Sequence, residues 1–226
     1  MRIDASPLKS LFPLALLLIG VLSFSQTRPD AMSNFRTGRD LEGQGRIEEA
    51  ETYYREAVRI CFNEINEKTA TIETYAALTS TLLRQKKYAD AITWGDQGLK
   101  IQNDYRIVEA MGEAYFFLGN YPSSLRFMQR YVNAIPEGER TGVAYFFVGE
   151  IYRLQKKFLH ADIAYTTAVR LQPGLALWWY RLGTVRESAG DTVAARSAYE
   201  QAIKINPNYT QATEGLTRIR RSVTNS

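Results

Sequence analysis

Few side chains in this 226-residue sequence could make or break bonds, and their spacing argues against it. The one histidine, His160, opens a predicted helix in Phe158-Leu159-His160-Ala161 and reads as a surface or capping residue. A lone histidine excludes the two- and three-histidine zinc sites of hydrolases. The one cysteine, Cys61, excludes an intrachain disulfide and a thiolate-rich metal site, and its apolar setting predicts a buried free thiol. No Gly-x-Ser-x-Gly elbow or Gly-x-x-x-x-Gly-Lys phosphate loop occurs. Gly43-Gln44-Gly45 is a turn with too few glycines to cradle a phosphate, and Glu48, Glu49 and Glu51 form a charged helix start. Glu113 and Glu150 are left as carboxylates that could face each other from adjacent helices. A paired-carboxylate enzyme is therefore one alternative, checked by screening a Glu150→Gln variant. The reading adopted is a non-catalytic protein with no cofactor and no metal.

The elements that would position these residues are helices. Apolar residues make up 45% of the chain, enough for a packed core, and the formal charge of +4 is weak evidence for a polyanionic partner. Near the start, Arg2 and Lys9 precede an apolar run of 14 residues, Leu11 to Phe24, with Ser23 and Ser25 around a cleavage point before Gln26. That order is a secretory signal, and the run is short of the roughly 20 residues of a membrane-spanning helix. Residues 1–25 are read as a signal peptide and 26–30 as a flexible lead. The alternative is an inner-membrane anchor at residues 8–24, so any membrane contact would come from an uncleaved signal alone. No Cys follows the run, which excludes a lipoprotein signal, and removing the signal leaves a charge of +3.

A period near 34 residues organises the rest. Trp179, Leu182 and Gly183 are followed by Ala195, Tyr199, Ala202 and Pro207. The same spacing recurs upstream in Tyr145, Val148, Gly149 and Tyr152, followed by Ala161, Tyr165, Ala168 and Pro173. Val108, Met111, Gly112 and Tyr115, then Ser124, Met128, Tyr131 and Pro136, give a third copy. A weaker one has Tyr75, Leu78, Thr79 and Leu82, then Ala91, Gly95, Gly98 and Asn103. In the first, only the second half (Ala50, Tyr54, Ala57, Phe62) is convincing. The pattern resembles the tetratricopeptide repeat, a helix–turn–helix unit with small residues at its crossing points and a closing proline. The resemblance implies an all-α, right-handed α-solenoid with units at 31–64, 72–105, 105–138, 142–175 and 176–209. A capping helix would follow at 210–223. The extra residues 65–71 either extend the second helix of the first unit or lengthen its turn. Small residues let paired helices approach, prolines stop each second helix, and no unit can bury its apolar face alone.

In this family the first helices line a concave groove where ligands bind. Spacing puts Phe147, Glu150 and Leu154 on one helix face, with Ala110, Glu113 and Phe117 one unit earlier and Arg181, Thr184 and Ser188 one unit later. The expectation is an apolar patch of Phe117, Phe147 and Leu154, flanked by Phe116, Phe146 and Tyr180 and by the charges Glu113, Glu150, Arg153 and Arg181. Contiguous exposed apolar surface marks interaction sites. The same rings could instead tilt into the core, or self-associate. Some relatives hold a C-terminal carboxylate with Lys, Asn and Arg. The corresponding residues here, Phe35, Arg39, Ala77, Ser80, Arg106 and Ala110, lack the Asn and leave single arginines, which argues against that mode. Arg218, Arg220 and Arg221 at a helix C-terminus complement its dipole, so no nucleic-acid partner is expected. The resulting expectation is a periplasmic scaffold or adaptor binding an apolar peptide segment or helix. The alternative is a transport accessory protein holding a small apolar molecule in an aromatic cavity. Self-association through solenoid ends or edges is a further option.

Overall fold

The computed structural model describes residues 30–224; the predicted signal and most of the lead lie outside them. Among the described residues there are eleven α-helices and no strand, and no helix is long and apolar enough to cross a membrane. Ten helices form five antiparallel pairs. These are α1 (Ala31–Gly43) with α2 (Ile47–Asn66), α3 (Ile72–Arg84) with α4 (Tyr88–Ile101), and α5 (Tyr105–Phe117) with α6 (Tyr121–Ala134). Then come α7 (Thr141–Leu154) with α8 (Phe158–Leu171) and α9 (Ala176–Ser188) with α10 (Thr192–Ile205). The last helix, α11 (Thr210–Thr224), packs on α10 and α9 through Ala212 and Ile219, both buried.

Small residues set the spacing within pairs. A Cβ added at Gly149 would lie 2.7 Å from the Tyr165 ring, and one at Gly183 would lie 2.5 Å from the Tyr199 ring. Both tyrosines are fully buried, so the missing methyl groups are what let each ring lie flat on the facing helix. The turns inside the pairs repeat one left-handed residue: Gly45, Lys86, Gly119, Lys156 and Gly190 all have positive φ. In each, the following amide bonds back across the turn, as in Lys87 N to Leu82 O and Asp191 N to Arg186 O, closing the first helix. The second helices α6, α8 and α10 each stop two residues before Pro136, Pro173 and Pro207. Of the extra residues 65–71, the first two complete α2, which has 20 residues against 14 in α4, α6, α8 and α10, and residues 67–71 form the longer turn before α3.

The first helices touch along the row, α1 with α3, α3 with α5 and α5 with α7. They form the tighter, inner wall of a solenoid, and the second helices lie outside. Cys61 is fully buried, its Sγ 3.4 Å from the Thr74 carbonyl, and burial pushes the thiol up to about 12. Arg218 reaches from α11 to Glu187 at the end of α9, at 2.9 and 3.0 Å, which ties the last helix to the row.

Candidate functional site

The inner wall has two regions of different chemistry. In its middle, Phe116, Phe117, Phe146 and Phe147 converge, with ring centroids between 5.0 and 6.0 Å from the Phe147 ring. Phe146 stacks on Trp178 at 5.1 Å and Phe117 on Tyr88 at 5.0 Å, so the rings run on into both neighbouring units. The sequence expectation of an open patch is corrected here. Phe147 is only 8% exposed, because it is enclosed by three other phenylalanines rather than standing over the groove. Phe117 (49%) and Leu154 (44%), the last residues of α5 and α7, do stay half open along one rim.

The charges expected beside that patch are also placed differently. Glu150 is buried, not free to meet a guest. Its Oε1 accepts a 2.5 Å hydrogen bond from the Tyr165 hydroxyl, and its Oε2 accepts one of 2.7 Å from Arg153. Arg181 Nε lies 2.9 Å from Oε1 as a charge contact. Burial, then the Glu150 charge, raises the Tyr165 hydroxyl far above its ordinary value, so it stays a donor. Tyr180 packs against Tyr199 and Tyr209 in the next interface. Glu113 is likewise buried, with Glu109 beside it on α5 and Arg140 across both. These two carboxylates are structural centres, and they belong to separate clusters. His160 is exposed, its ring 5.2 Å from that of Tyr152.

The second region is a cleft of about 380 Å³ between α1, α3 and α5. Its floor is made of small residues, Ser80 and Ala110, which leave space where larger side chains would meet. One unit on, the place of Ala77 and Ala110 is taken by Phe147, and there the wall is filled. Met32, Phe35 and Leu83 give the cleft an apolar side. Five arginines surround it: Arg36 and Arg39 from α1, Arg84 from α3, Arg106 from α5 and Arg140 from the start of α7. The lining carboxylates are Glu109 and Glu139. Arg106 pairs with Glu73 and Asp104, and Arg140 with Glu109 and Glu113. Arg39 has only a 3.7 Å contact with its exposed neighbour Asp40. Among the described residues, Arg36 and Arg84 have no ion-pair partner within 4 Å. Guanidinium groups held over an apolar floor are donors waiting for carboxylates, which they can grip through two oxygens at once.

Sequence reasoning met Phe35, Arg39, Ser80, Arg106 and Ala110 as an incomplete pattern with single arginines. What it missed were Arg36, Arg84 and Arg140, which the stacking of three units brings to the same hollow. Each comes from a different element, in α1, at the end of α3 and just before α7, so the sequence carries no local pattern that joins them.

Comparison with known proteins agrees with this architecture. Residues 31–104 and 176–209 match descriptions of the tetratricopeptide repeat. Over 109 residues, 48% of this chain, the sequence is 31% identical to the heat shock protein sti1 homolog of Schizosaccharomyces pombe, covering 18% of that protein. The chain spans about a fifth of the length of the curated relatives it matches. Among solved structures, the thermophilic TPR protein TTC0263 of Thermus thermophilus superposes with a TM-score of 0.62, at 17% identity over 84% of this chain and 98% of that one. YrrB, a TPR protein with an unusual peptide-binding site, gives 0.56 at 17% identity over 83% and 92% of the two chains. With the repeat pattern, the stacked helix pairs and these matches in agreement, the chain carries tetratricopeptide repeats and folds as a tetratricopeptide-repeat solenoid.

Proposed function

We propose that this protein is an interaction scaffold whose inner wall grips a peptide segment carrying acidic side chains beside an apolar one. The observation that carries the reading is the cleft, where five arginines outnumber two glutamates. Two of those arginines have no ion-pair partner among the described residues. An apolar anchor fits against Met32, Phe35 and Leu83, and carboxylates beside it reach Arg36, Arg39 and Arg84. A longer guest would continue along the rim past Arg84, Phe117 and Leu154, the end residues of three successive first helices. That YrrB has a peptide-binding site is a precedent for the fold, at an identity that speaks for the fold alone. We also read residues 1–25 as an export signal, so the setting we propose is a bacterial cell envelope. The support is the basic start, short apolar run and small residues of that segment.

The test is a titration of the protein with fluorescein-labelled oligo-glutamate, oligo-lysine and Gly-Ser peptides of equal length. Binding of the glutamate peptide alone is expected, weakening about tenfold or more when salt rises from about 0.05 M to 0.5 M as screening takes over. Equal binding of all three, or a preference for lysine, would contradict the reading.

A further inference from the structure

Arg140 serves two sets of partners. On its inner side, its Nη2 and Nε lie 2.8 and 3.1 Å from Glu109 Oε1, and its Nη2 also pairs with Glu113. On its outer side it lines the cleft and is about a third exposed. Glu113 itself is 5% exposed, and Arg140 bridges its carboxyl to that of Glu109. We infer that the cleft couples capture of an acidic segment to uptake of one proton at Glu113, with Arg140 as the shared group. The inference rests on the cleft reading given above and adds how that site is regulated.

Charge balance around Glu113 sets the coupling. Two adjacent buried carboxylates cannot both ionise cheaply, because each is desolvated and each repels the other. The charged groups acting on Glu113 are Glu109 on its own helix, Arg140 at the start of α7 and Arg84 at the end of α3. Tyr131 of α6 lines the cleft and feels the charges of both Glu109 and Arg140. Burial, followed by the Glu109 charge, already holds Glu113 well above the usual carboxylate range. Both cations acting on Glu113 also face the cleft. A guest carboxylate that engages Arg140 or Arg84 takes away part of the compensation for Glu113 and adds negative charge nearby. The proton that restores the balance comes from solvent and stays on the Glu113 carboxyl. No other bond changes.

By linkage, a site that gains a proton on binding binds less tightly as pH rises, by at most about tenfold per pH unit for one proton. The sign follows from Glu113 being neutral in the complex and ionising more readily in the free protein. Affinity for the oligo-glutamate peptide, whose own carboxylates remain charged throughout, is measured between about pH 5.5 and 8.5 for the native protein and for Glu113→Gln. The native protein should hold its affinity while Glu113 keeps its proton in the free form, and lose affinity with rising pH once that carboxyl ionises. The variant, a fixed copy of the neutral form, should hold the low-pH affinity throughout. Calorimetry of the native protein at the upper end of that pH range, in two buffers of different ionisation enthalpy, counts the proton directly, should the variant fail to fold. Parallel curves for the two proteins, or no proton uptake, would overturn the linkage while leaving the cleft reading in place. No binding at any pH would overturn both.

Discussion

Replacing Phe147 by alanine should lower the stability of the protein by about 3–5 kcal/mol, the cost of deleting a fully packed ring and leaving its cavity. The ring is 8% exposed and is held at 5.0, 5.8 and 6.0 Å from three other phenylalanine rings, so its loss opens a hole among them. A thermal midpoint lower by roughly 10 °C is the expected reading, measured by circular dichroism. Phe117→Ala provides the contrast. That ring is 49% exposed, and its loss should cost a fraction as much. A Phe147 variant that melts like the native protein would mean the ring is not part of the core. The residue would then return to the role its sequence position suggested.

Reversing two charges in the cleft should have the largest effect on binding. Arg36 is exposed and Arg84 partly so, and neither has an ion-pair partner among the described residues, so Arg36→Glu with Arg84→Glu leaves the packing intact. The double variant turns the cleft from a surplus of positive charge to a surplus of negative. Each reversal both removes a charge-assisted hydrogen bond and adds repulsion, so affinity for the oligo-glutamate peptide should fall by about a hundredfold or more. Arg196→Glu, on the outer face of α10, changes the net charge equally per residue and should leave affinity nearly unchanged. If Arg196→Glu weakened binding as much, per charge reversed, as the double variant, only the overall charge of the protein would matter.

Much of the fold was legible because a repeat states its packing many times over. Gly149 and Gly183 stand opposite Tyr165 and Tyr199 at one fixed spacing, and the prolines at 136, 173 and 207 each mark the end of a helix. The site was legible only in part. Spacing within one helix gives the face on which Phe147 or Glu150 lies, and it says nothing of how far the adjacent unit leans over that face. Phe147 is enclosed by rings from α5 as well as α7, and Glu150 is covered by Arg181 from the following unit. Glu113 is capped by Arg140, a residue 27 positions later that returns through a turn. Such closures depend on the stagger between units. The cleft arises the same way: its floor is Ala and Ser at places the repeat leaves free to vary. Its arginines come from three units and the start of a fourth, and one unit at a time each looks like an ordinary solvated charge.

The central claim is that the inner wall between α1, α3 and α5 holds an acidic guest. Amide chemical-shift mapping of the isotope-labelled protein with the oligo-glutamate peptide tests it most directly. The largest shifts should fall on Arg36, Ser80, Arg84 and Ala110, with the outer helices unmoved. Shifts confined to the exposed Leu159 and Ile163 of α8, or scattered over surface arginines with none at Ser80 and Ala110, would contradict it.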